Sequence, residues 1–134
     1  MFELDTVILI VDDMNTMRRM LRRSLTQIGF SQFIEASDGV DAWAALNQPD
    51  ARIGVVFSDW NMPRQNGIDL LKRVRADEKF RELPFIMVTA EFEAHQVREA
   101  IHAGASNYIG KPFGLETLRD RLSQVYAKTR VVLE

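Results

Sequence analysis

Residues 53–63 read IGVVFSDWNMP, and the fold is organised around this stretch. Its first six residues combine apolar, β-branched and aromatic side chains in a short run, which is typical of a buried strand. The run ends at Asp59, and a carboxylate directly after a buried strand is costly unless water, a metal or a partner receives it. Because ligands of open α/β sheets bind at the carboxyl ends of the strands, Asp59 is the candidate centre of the chemistry.

The size and composition of the chain indicate one ordinary soluble domain. Its 134 residues are 46% hydrophobic and 27% charged, and the net charge of −2 gives no electrostatic reason to expect nucleic acid or membranes as partners. The lack of cysteine excludes disulfides, thiolate metal sites and thiol catalysis. Residues 1–5 do not resemble a signal peptide, and no apolar run approaches the ~18 residues of a membrane span. We expect a cytoplasmic, monomeric protein.

Four more short runs have the character of strands, and they lie at residues 7–11, 33–36, 85–88 and 107–110. Helical spacing of apolar side chains follows each of the five strand candidates, with the fourth helix expected over residues 93–103. Strand and helix thus alternate five times without repeats or a linker. This order predicts a doubly wound α/β domain with a mostly parallel sheet.

Local spacing makes three predictions about individual helix residues. Asn15 is expected to cap the first helix through its side-chain oxygen. Val40 is expected on the buried face of the second helix together with Trp43 and Leu46. Ile101 is expected on the buried face of the fourth helix.

The first helix also carries a basic face, formed by Arg18, Arg19, Arg22 and Arg23. Charge patterning is compatible with a solvated helix face and with a docking patch for an acidic partner. Both interpretations stay open at the level of the sequence.

Polar side chains follow four of the five predicted strands, and these are Asp12 and Asp13, Asp59, Thr89, and Lys111. Each one alone is an ordinary turn or cap residue, but parallel strands bring their carboxyl ends to one edge of the sheet. Clustered carboxylates repel one another unless a cation lies among them, and oxygen ligands without His or Cys suit Mg²⁺. A lysine and a hydroxyl beside that ion match the needs of a transferred phosphoryl group, with Asp59 as the nucleophile of an aspartyl-phosphate.

Four motifs carry a resemblance to a known family, and they are VDD at 11–13, SDWNMP at 58–63, TAE at 89–91 and KPF at 111–113. With them, the chain resembles the receiver domain of two-component response regulators, most closely the single-domain chemotaxis regulators of the CheY type. The resemblance covers essentially the whole chain. It implies a flavodoxin-like (βα)5 fold with a five-stranded parallel sheet in the order 2-1-3-4-5, and a single receiver domain over 1–134 without an output domain.

The resemblance also implies roles for the residues of the acidic edge. Asp59 would be the phosphoacceptor, and Asp13 and Asp59 would bind Mg²⁺ with their side chains. Asn61 would bind the ion through its backbone carbonyl, and Asp12 would act through bound water. The phosphoryl group would be contacted by two further residues, Thr89 and Lys111.

Other positions would shape the switch and its lifetime. By the same resemblance, Tyr108 would be the aromatic switch, turning inward as Thr89 moves toward the phosphate. The side chains of Asn61 and Glu91 would flank the approach of the hydrolytic water and tune self-dephosphorylation. The peptide bond between Lys111 and Pro112 would be cis, which X-Pro bonds tolerate at modest cost.

The function implied by the resemblance is that of a signalling domain rather than a conventional enzyme. A histidine kinase of the CheA type would donate the phosphoryl group in a Mg²⁺-dependent, self-catalysed transfer to Asp59. Phosphorylation would then switch the conformation and signal to a flagellar motor switch protein of the FliM type, with a phosphatase as a further partner. A detached receiver in a non-chemotaxis phosphorelay or stress pathway is the alternative within the family.

Two alternatives lie outside the family. A haloacid-dehalogenase-type phosphatase also uses an aspartate nucleophile and Mg²⁺, but its usual Asp-x-Asp pattern is replaced here by Asp59-Trp60-Asn61. A flavodoxin-type flavin-binding module needs a phosphate-cradling loop after the first strand. That loop is acidic in this chain, and it would repel phosphate in the absence of a cation.

Overall fold

The computed structural model describes residues 1–90 and 94–133, with side chains through residue 128. Strands and helices alternate along the whole of it. Their bounds are β1 Val7–Val11, α1 Asn15–Ile28, β2 Gln32–Ala36, α2 Gly39–Leu46, β3 Ile53–Ser58, α3 Gly67–Ala76, β4 Phe85–Thr89, α4 Ala94–Ala103, β5 Asn107–Gly110 and α5 Leu115–Leu133. No helix in the described part of the chain is long and apolar enough to cross a membrane.

The five strands form one parallel sheet in the order β2-β1-β3-β4-β5, which confirms the predicted fold. In the register of the sheet, Val11 pairs with Ser58, and Ser58 pairs with Met87. At the far side Thr89 pairs with Gly110. The carboxyl ends of β1, β3, β4 and β5 therefore lie along one edge, because parallel strands share their direction.

Helices cover both faces of the sheet, so that alternate residues of each strand contribute to different core layers. Ile8 and Ile10 of β1 pack in a layer with α1 and α5, whereas Leu9 and Val11 pack in a layer with α2, α3 and α4. Both layers are closed to solvent at the central strands. The acidic residues after β1 and β3 thus project from a rigid, fully packed support.

The predicted cap at Asn15 is wrong. Helix α1 begins at Asn15 itself, and the N-cap position is Met14, which makes no side-chain cap. The Asn15 side-chain oxygen instead accepts a hydrogen bond from Arg18, one turn further along. The Met14 N–H is satisfied by Asp12 Oδ1 at 3.0 Å, so the carboxylate of the acidic edge also orders the start of the helix.

The predicted buried positions of Val40 and Ile101 are wrong as well. In α2 the buried stripe is Gly39, Ala42 and Leu46, and Val40 lies about a quarter turn away with 40% of its surface exposed. In α4 the fully buried residue is Ala100, and the next residue, Ile101, is 49% exposed. Both errors arise because a short helix buries only a narrow stripe, and here small residues, Gly39 and Ala100, lie in that stripe.

The basic face of α1 is partly used within the chain. Arg18 Nε lies 3.1 Å from Glu35 Oε1 of β2, and Arg22 Nη1 lies 2.9 Å from Glu35 Oε2. Arg19 and Arg23 are exposed. Glu35 therefore neutralises part of the patch that the sequence offers to an acidic partner.

Asp38 joins the loop before α2 to the loop before α3. Its side chain accepts from the backbone N–H of Asp41 at 2.8 Å, which caps α2, and from Arg64 Nε at 2.7 Å. The Gly39 N–H donates to the Gln65 carbonyl at 2.9 Å between the same two loops. These contacts hold the segment that follows Asp59.

We expect Asp38→Ala to lower the free energy of unfolding by about 1–3 kcal/mol at neutral pH, through loss of a cap and of the hydrogen bonds that the exposed Arg64 donates to the buried Asp38 carboxylate. Burial alone would raise the pKa of Asp38, but hydrogen bonds from Arg64 and the Asp41 backbone outweigh it and lower the pKa below 3.8. A lowered folded pKa gives stability that is present above the unfolded value and lost as pH falls below it. Urea unfolding from neutral pH to below pH 3.8 should therefore show the variant approaching the wild type.

The control for this measurement is Asp41→Ala, which removes an exposed contact to Arg64 and keeps the backbone N–H that Asp38 caps. A smaller loss is expected for it. An Asp38→Ala variant as stable as the Asp41→Ala variant would contradict the capping role.

Candidate functional site

Three carboxylates converge at the edge of the sheet where β1 and β3 end. Asp12, Asp13 and Asp59 each place a carboxylate oxygen within 4.8 Å of the others. Asp12 is buried, Asp59 is partly buried, and Asp13 faces solvent, so the cluster opens outward at one side. This convergence confirms the interpretation of the strand ends as one polar edge.

Lys111 brings a positive charge into this cluster from the end of β5. Its Nζ lies 2.7 Å from Asp12 Oδ2 and 3.4 Å from Asp59 Oδ2, and its side chain is 13% exposed. The peptide bond between Lys111 and Pro112 is cis, as the resemblance implies. The buried Thr89 at the end of β4 completes the group with a side-chain hydrogen bond to Asp59. Residues from four strand ends thus meet at one carboxylate.

The carboxyl group of Asp59 has a raised pKa. Burial is the main cause, and the nearby charge of Asp12 adds to it, while Lys111 and hydrogen bonds from the Trp60 backbone and Thr89 act in the opposite direction. The negative charge of Asp59 is therefore held at a cost in the folded chain. A cation bound among the three carboxylates would remove that cost.

This cost predicts a stability gain for Asp59→Asn. A carboxyl group with a raised folded pKa destabilises the fold when ionised, since the folded state binds the proton more tightly than the unfolded state. The variant should be more stable than the wild type at neutral pH, and the gain should vanish as pH falls below 3.8, where both states are protonated. Urea unfolding without divalent cations, at neutral pH and below pH 3.8, measures the difference in the free energy of unfolding between the variant and the wild type. A gain that persists unchanged at low pH would show that charge is not its cause.

The backbone around Asp59 is fixed by short contacts. Asp59 N–H donates to the Val11 carbonyl at 2.9 Å, and Asp59 Oδ1 accepts from Trp60 N–H at 2.7 Å. Gly67, at the start of α3, donates its N–H to the Trp60 carbonyl at 2.8 Å. A Cβ atom on Gly67 would lie 2.0 Å from the carbonyl oxygen of Asp59, so only glycine fits there.

Two aromatic side chains lie behind the acidic edge. Trp60 and Tyr108 are both buried, with ring centroids 6.4 Å apart in an edge-to-face arrangement. Trp60 is therefore part of the core as well as the neighbour of Asp59. Tyr108, the predicted switch residue, occupies an interior position in this structure, and its role stays a prediction. Glu91 lies outside the described residues.

A groove of about 690 Å³ opens onto the site from the side of α1. Asn61, the predicted metal ligand and dephosphorylation residue, lines it together with Asp59 and Thr89. The groove continues along an apolar wall formed by Met14, Met17, Met20, Pro112 and Phe113. The Asp59 side chain, 13% exposed, is open to solvent at this site.

Arg18 is a residue of the site that sequence reasoning missed. It donates a hydrogen bond to the Asp12 carbonyl from helix α1, although the sequence identified it only as one of four arginines on a basic face. Its partner Glu35 lies 17 residues away on a different element. No periodicity or motif of the chain signals this contact.

The donor set of the acidic edge fits a magnesium ion. Its ligand atoms are carboxylate oxygens, which a hard divalent cation prefers, and it contains neither His nor Cys. The burial that raises the pKa of Asp59 disfavours its charged form, which a bound cation would stabilise. The residues that would hold the ion are Asp12, Asp13 and Asp59.

Comparison with known proteins agrees with this site. Residues 8–123 match the family model described as the response regulator receiver domain. The chain is 45% identical to the chemotaxis protein CheY1 of Helicobacter pylori over 118 residues, 88% of this chain and 94% of that protein. It is 46% identical to the chemotaxis protein CheY-3 of Vibrio cholerae over 121 residues, 90% and 92% of the two chains.

Solved structures show the same fold. The chemotaxis response regulator CheY4 of Vibrio cholerae matches with a TM-score of 0.80 at 33% identity, covering 90% of this chain and 98% of that one. A CheX–CheY–BeF3–Mg²⁺ complex from Borrelia burgdorferi matches with a TM-score of 0.83 at 27% identity, covering 90% and 89%. Together with the convergence of Asp12, Asp13, Asp59, Thr89 and Lys111, these matches show that the chain belongs to the receiver-domain family of response regulators and is related to the CheY-type chemotaxis regulators.

Proposed function

We propose that this chain is a two-component response regulator that accepts a phosphoryl group on Asp59 and passes the signal on in chemotaxis. The observation that carries the proposal is the position of Lys111, whose ammonium lies against the carboxylates of both Asp12 and Asp59 at the end of β5. The family match supports phosphoryl transfer, and the chemotaxis relatives at 45% and 46% identity support the pathway.

The residues of the edge divide the chemistry among them. A carboxylate oxygen of Asp59 attacks the phosphorus of the phosphohistidine of a histidine kinase. The bond from phosphorus to the imidazole nitrogen breaks, and its electron pair stays on the imidazole. Lys111 and the Thr89 hydroxyl stabilise the negative charge on the transferred phosphoryl oxygens. Bound Mg²⁺ supplies positive charge that offsets the developing charge during transfer. Asp12, Asp13 and Asp59, with the Asn61 backbone carbonyl, would hold it.

Phosphorylation then biases a two-state equilibrium in which Thr89 and Tyr108 are the switch residues. Tyr108 is already buried in this structure, which is the inward position that the proposed switch assigns to the phosphorylated state. The surface proposed to bind the output partner is formed by α4, β5 and α5. The exposed Ile101 offers an apolar contact on it. Asn61 and Glu91 are the proposed determinants of self-dephosphorylation.

Phosphorylation by a small donor tests the proposal directly. Incubation with acetyl phosphate and Mg²⁺ should add one phosphoryl group to the intact mass of the protein, and chelation of the metal should prevent the addition. A protein that keeps its unmodified mass under these conditions is not a phosphoacceptor.

The output can be tested with beryllofluoride, which is expected to mimic the phosphoryl group on Asp59. The activated protein should bind a flagellar motor switch protein more tightly than the unmodified protein does. Binding instead to an anti-sigma-type regulator or to a phosphorelay kinase in the same panel would place the chain in another pathway. Turnover of a small phosphate ester would revive the phosphatase alternative.

Trp60 should report on the occupancy of the site. Because its backbone N–H bonds to Asp59 and its ring is buried beside Tyr108, Mg²⁺ binding is expected to change its fluorescence. Trp43 is the confounding fluorophore. It lies half-buried in α2, where its ring contacts Phe80 and Arg73. The response should survive in Trp43→Phe and disappear in Trp60→Phe. A response that remains in Trp60→Phe would assign it to Trp43.

A further inference from the structure

Arg18 connects three parts of the chain next to the acidic edge. Its guanidinium donates to the backbone carbonyl of Asp12, to the side-chain oxygen of Asn15, and to Glu35 Oε1 at 3.1 Å. Its side chain is only 14% exposed, although it lies on a face of α1 that is otherwise solvated. A long arginine that is held by three acceptors has little freedom left.

These contacts close a ring of interactions around the end of β1. Asp12 N–H donates to the Ala36 carbonyl at 3.1 Å, and Ala36 follows Glu35 in β2. Glu35 pairs with Arg18, and Arg18 returns to the Asp12 carbonyl. Both backbone polar groups of Asp12 are thus held, one by the neighbouring strand and one by α1. The peptide unit from Asp12 to Asp13 is planar, so fixing its carbonyl also fixes the direction in which Asp13 leaves β1.

We propose that Arg18 is a positioning residue that orients the Asp12–Asp13 carboxylates for the divalent cation, and that Glu35 holds Arg18 in place and neutralises its charge there. The proposal rests on the proposed function, since it concerns the ion of that site. Arg18 lies outside the carboxylate cluster and acts on it through the backbone. Glu35 matters because an uncompensated guanidinium beside a cation site would repel the ion.

Orientation and charge predict opposite effects of removing Arg18. If Arg18 acts by its charge alone, its removal should tighten Mg²⁺ binding, because one repelling positive charge is lost. If Arg18 orients the carboxylates, its removal should weaken binding by roughly tenfold, as loss of an outer hydrogen bond to a metal ligand commonly does. The sign of the change therefore distinguishes the two.

The chain offers a matched control in Arg22. It pairs with the same carboxylate, Glu35, at 2.9 Å, and its contacts in the described part of the chain do not include Asp12. Arg22→Met and Arg18→Met remove the same charge from neighbouring positions, and only the second loses the carbonyl contact. Arg18→Lys retains the charge but loses the planar, multidentate donor.

The experiment measures Mg²⁺ affinity by Trp60 fluorescence in a Trp43→Phe background, after urea unfolding has shown that each variant is folded. Arg18→Met and Arg18→Lys should both raise the Kd for Mg²⁺ by roughly tenfold, and Arg22→Met should leave it within about twofold. The rate at which acetyl phosphate phosphorylates Arg22→Met at saturating Mg²⁺ should stay within about threefold of wild type, because Arg22, among the described residues, does not contact the acidic edge. An Arg18→Met variant that binds Mg²⁺ as tightly as the wild type or more tightly would overturn the proposal.

A metal-free measurement separates this inference from the proposed function. The Met14 amide bonds to Asp12 Oδ1, so its exchange with solvent, followed by NMR without divalent cations, reports on how firmly the Asp12 loop is held. Exchange should accelerate in Arg18→Met and not in Arg22→Met, and unchanged exchange in both would overturn the positioning role. The two ideas can also part. If the wild type fails to bind Mg²⁺ but Arg18→Met still accelerates the exchange of the Met14 amide, the proposed function is refuted and the positioning of Asp12 by Arg18 is supported.

Discussion

Replacing Asp59 by Asn is expected to abolish phosphorylation by acetyl phosphate, lowering its rate by more than about 10³-fold. An amide lacks the negative charge of a carboxylate, so its oxygen is a far weaker nucleophile, and the remaining residues of the edge then have no acceptor to serve. The change removes one hydrogen-bonding oxygen and keeps the shape of the side chain. The intact mass of the variant, recorded at times when the wild type is fully modified, is the measurement.

The matched control is Asp69→Asn, which makes the same chemical change on the exposed first turn of α3. It should be phosphorylated like the wild type. Urea unfolding of Asp59→Asn, which is expected to be more stable than the wild type at neutral pH, separates a loss of the acceptor from a loss of the fold. If Asp59→Asn gains the same mass as the wild type, another residue is the acceptor.

Replacing Gly67 by Ala is expected to cause the largest loss of stability from a single methyl group in this region, about 2–4 kcal/mol. The added Cβ would lie 2.0 Å from the Asp59 carbonyl oxygen, 2.9 Å from its carbonyl carbon and 3.1 Å from Trp60 Cα. All three are backbone atoms, so a side-chain rotation cannot relieve the overlap. Relief requires the segment that carries Asp59 to move away from α3, with loss of the Gly67 N–H bond to Trp60.

Urea unfolding of Gly67→Ala measures this loss, with Gly114→Ala as the control. Gly114 directly precedes α5, and a Cβ there would have no neighbour within 4 Å. The control should therefore change the free energy of unfolding by less than about 1 kcal/mol, which is the usual effect of a substitution at a helix N-cap. At temperatures where Gly67→Ala is folded, its Mg²⁺ affinity should also fall, since the overlap displaces Asp59. Equal stability of the two variants would show that the loop before α3 can adapt at little cost.

The fold and most of the site follow from local features of the sequence. Apolar runs such as residues 53–58 indicate buried strands, and their alternation with helical spacing predicts a parallel doubly wound sheet. Once the strands are parallel, the carboxyl ends must share an edge, so Asp59, Thr89 and Lys111 could be brought together without knowledge of the coordinates. These predictions succeeded because each depends on a few consecutive residues.

The errors in the helices have a different origin. Spacing predicts which residues share a face, but the width of the buried stripe depends on how closely a helix approaches the sheet. The buried stripes of α2 and α4 contain the small residues Gly39 and Ala100, and the larger Val40 and Ile101 are left in solvent. Asn15 is the first helical residue because the extended backbone lies one residue earlier, at Met14, and its side chain accepts from Arg18 instead of capping the helix.

By itself the sequence determined the order of the elements and the acidic edge that contains the Asp59 carboxylate, because periodicity and strand-end chemistry are written in neighbouring residues. Only the tertiary structure decided how that carboxylate is held. Gly67 must be glycine because the Asp59 carbonyl lies against it, and Arg18 reaches both the Asp12 carbonyl and Glu35. Such contacts join separate elements at atomic distances, and no local pattern encodes a distance between elements.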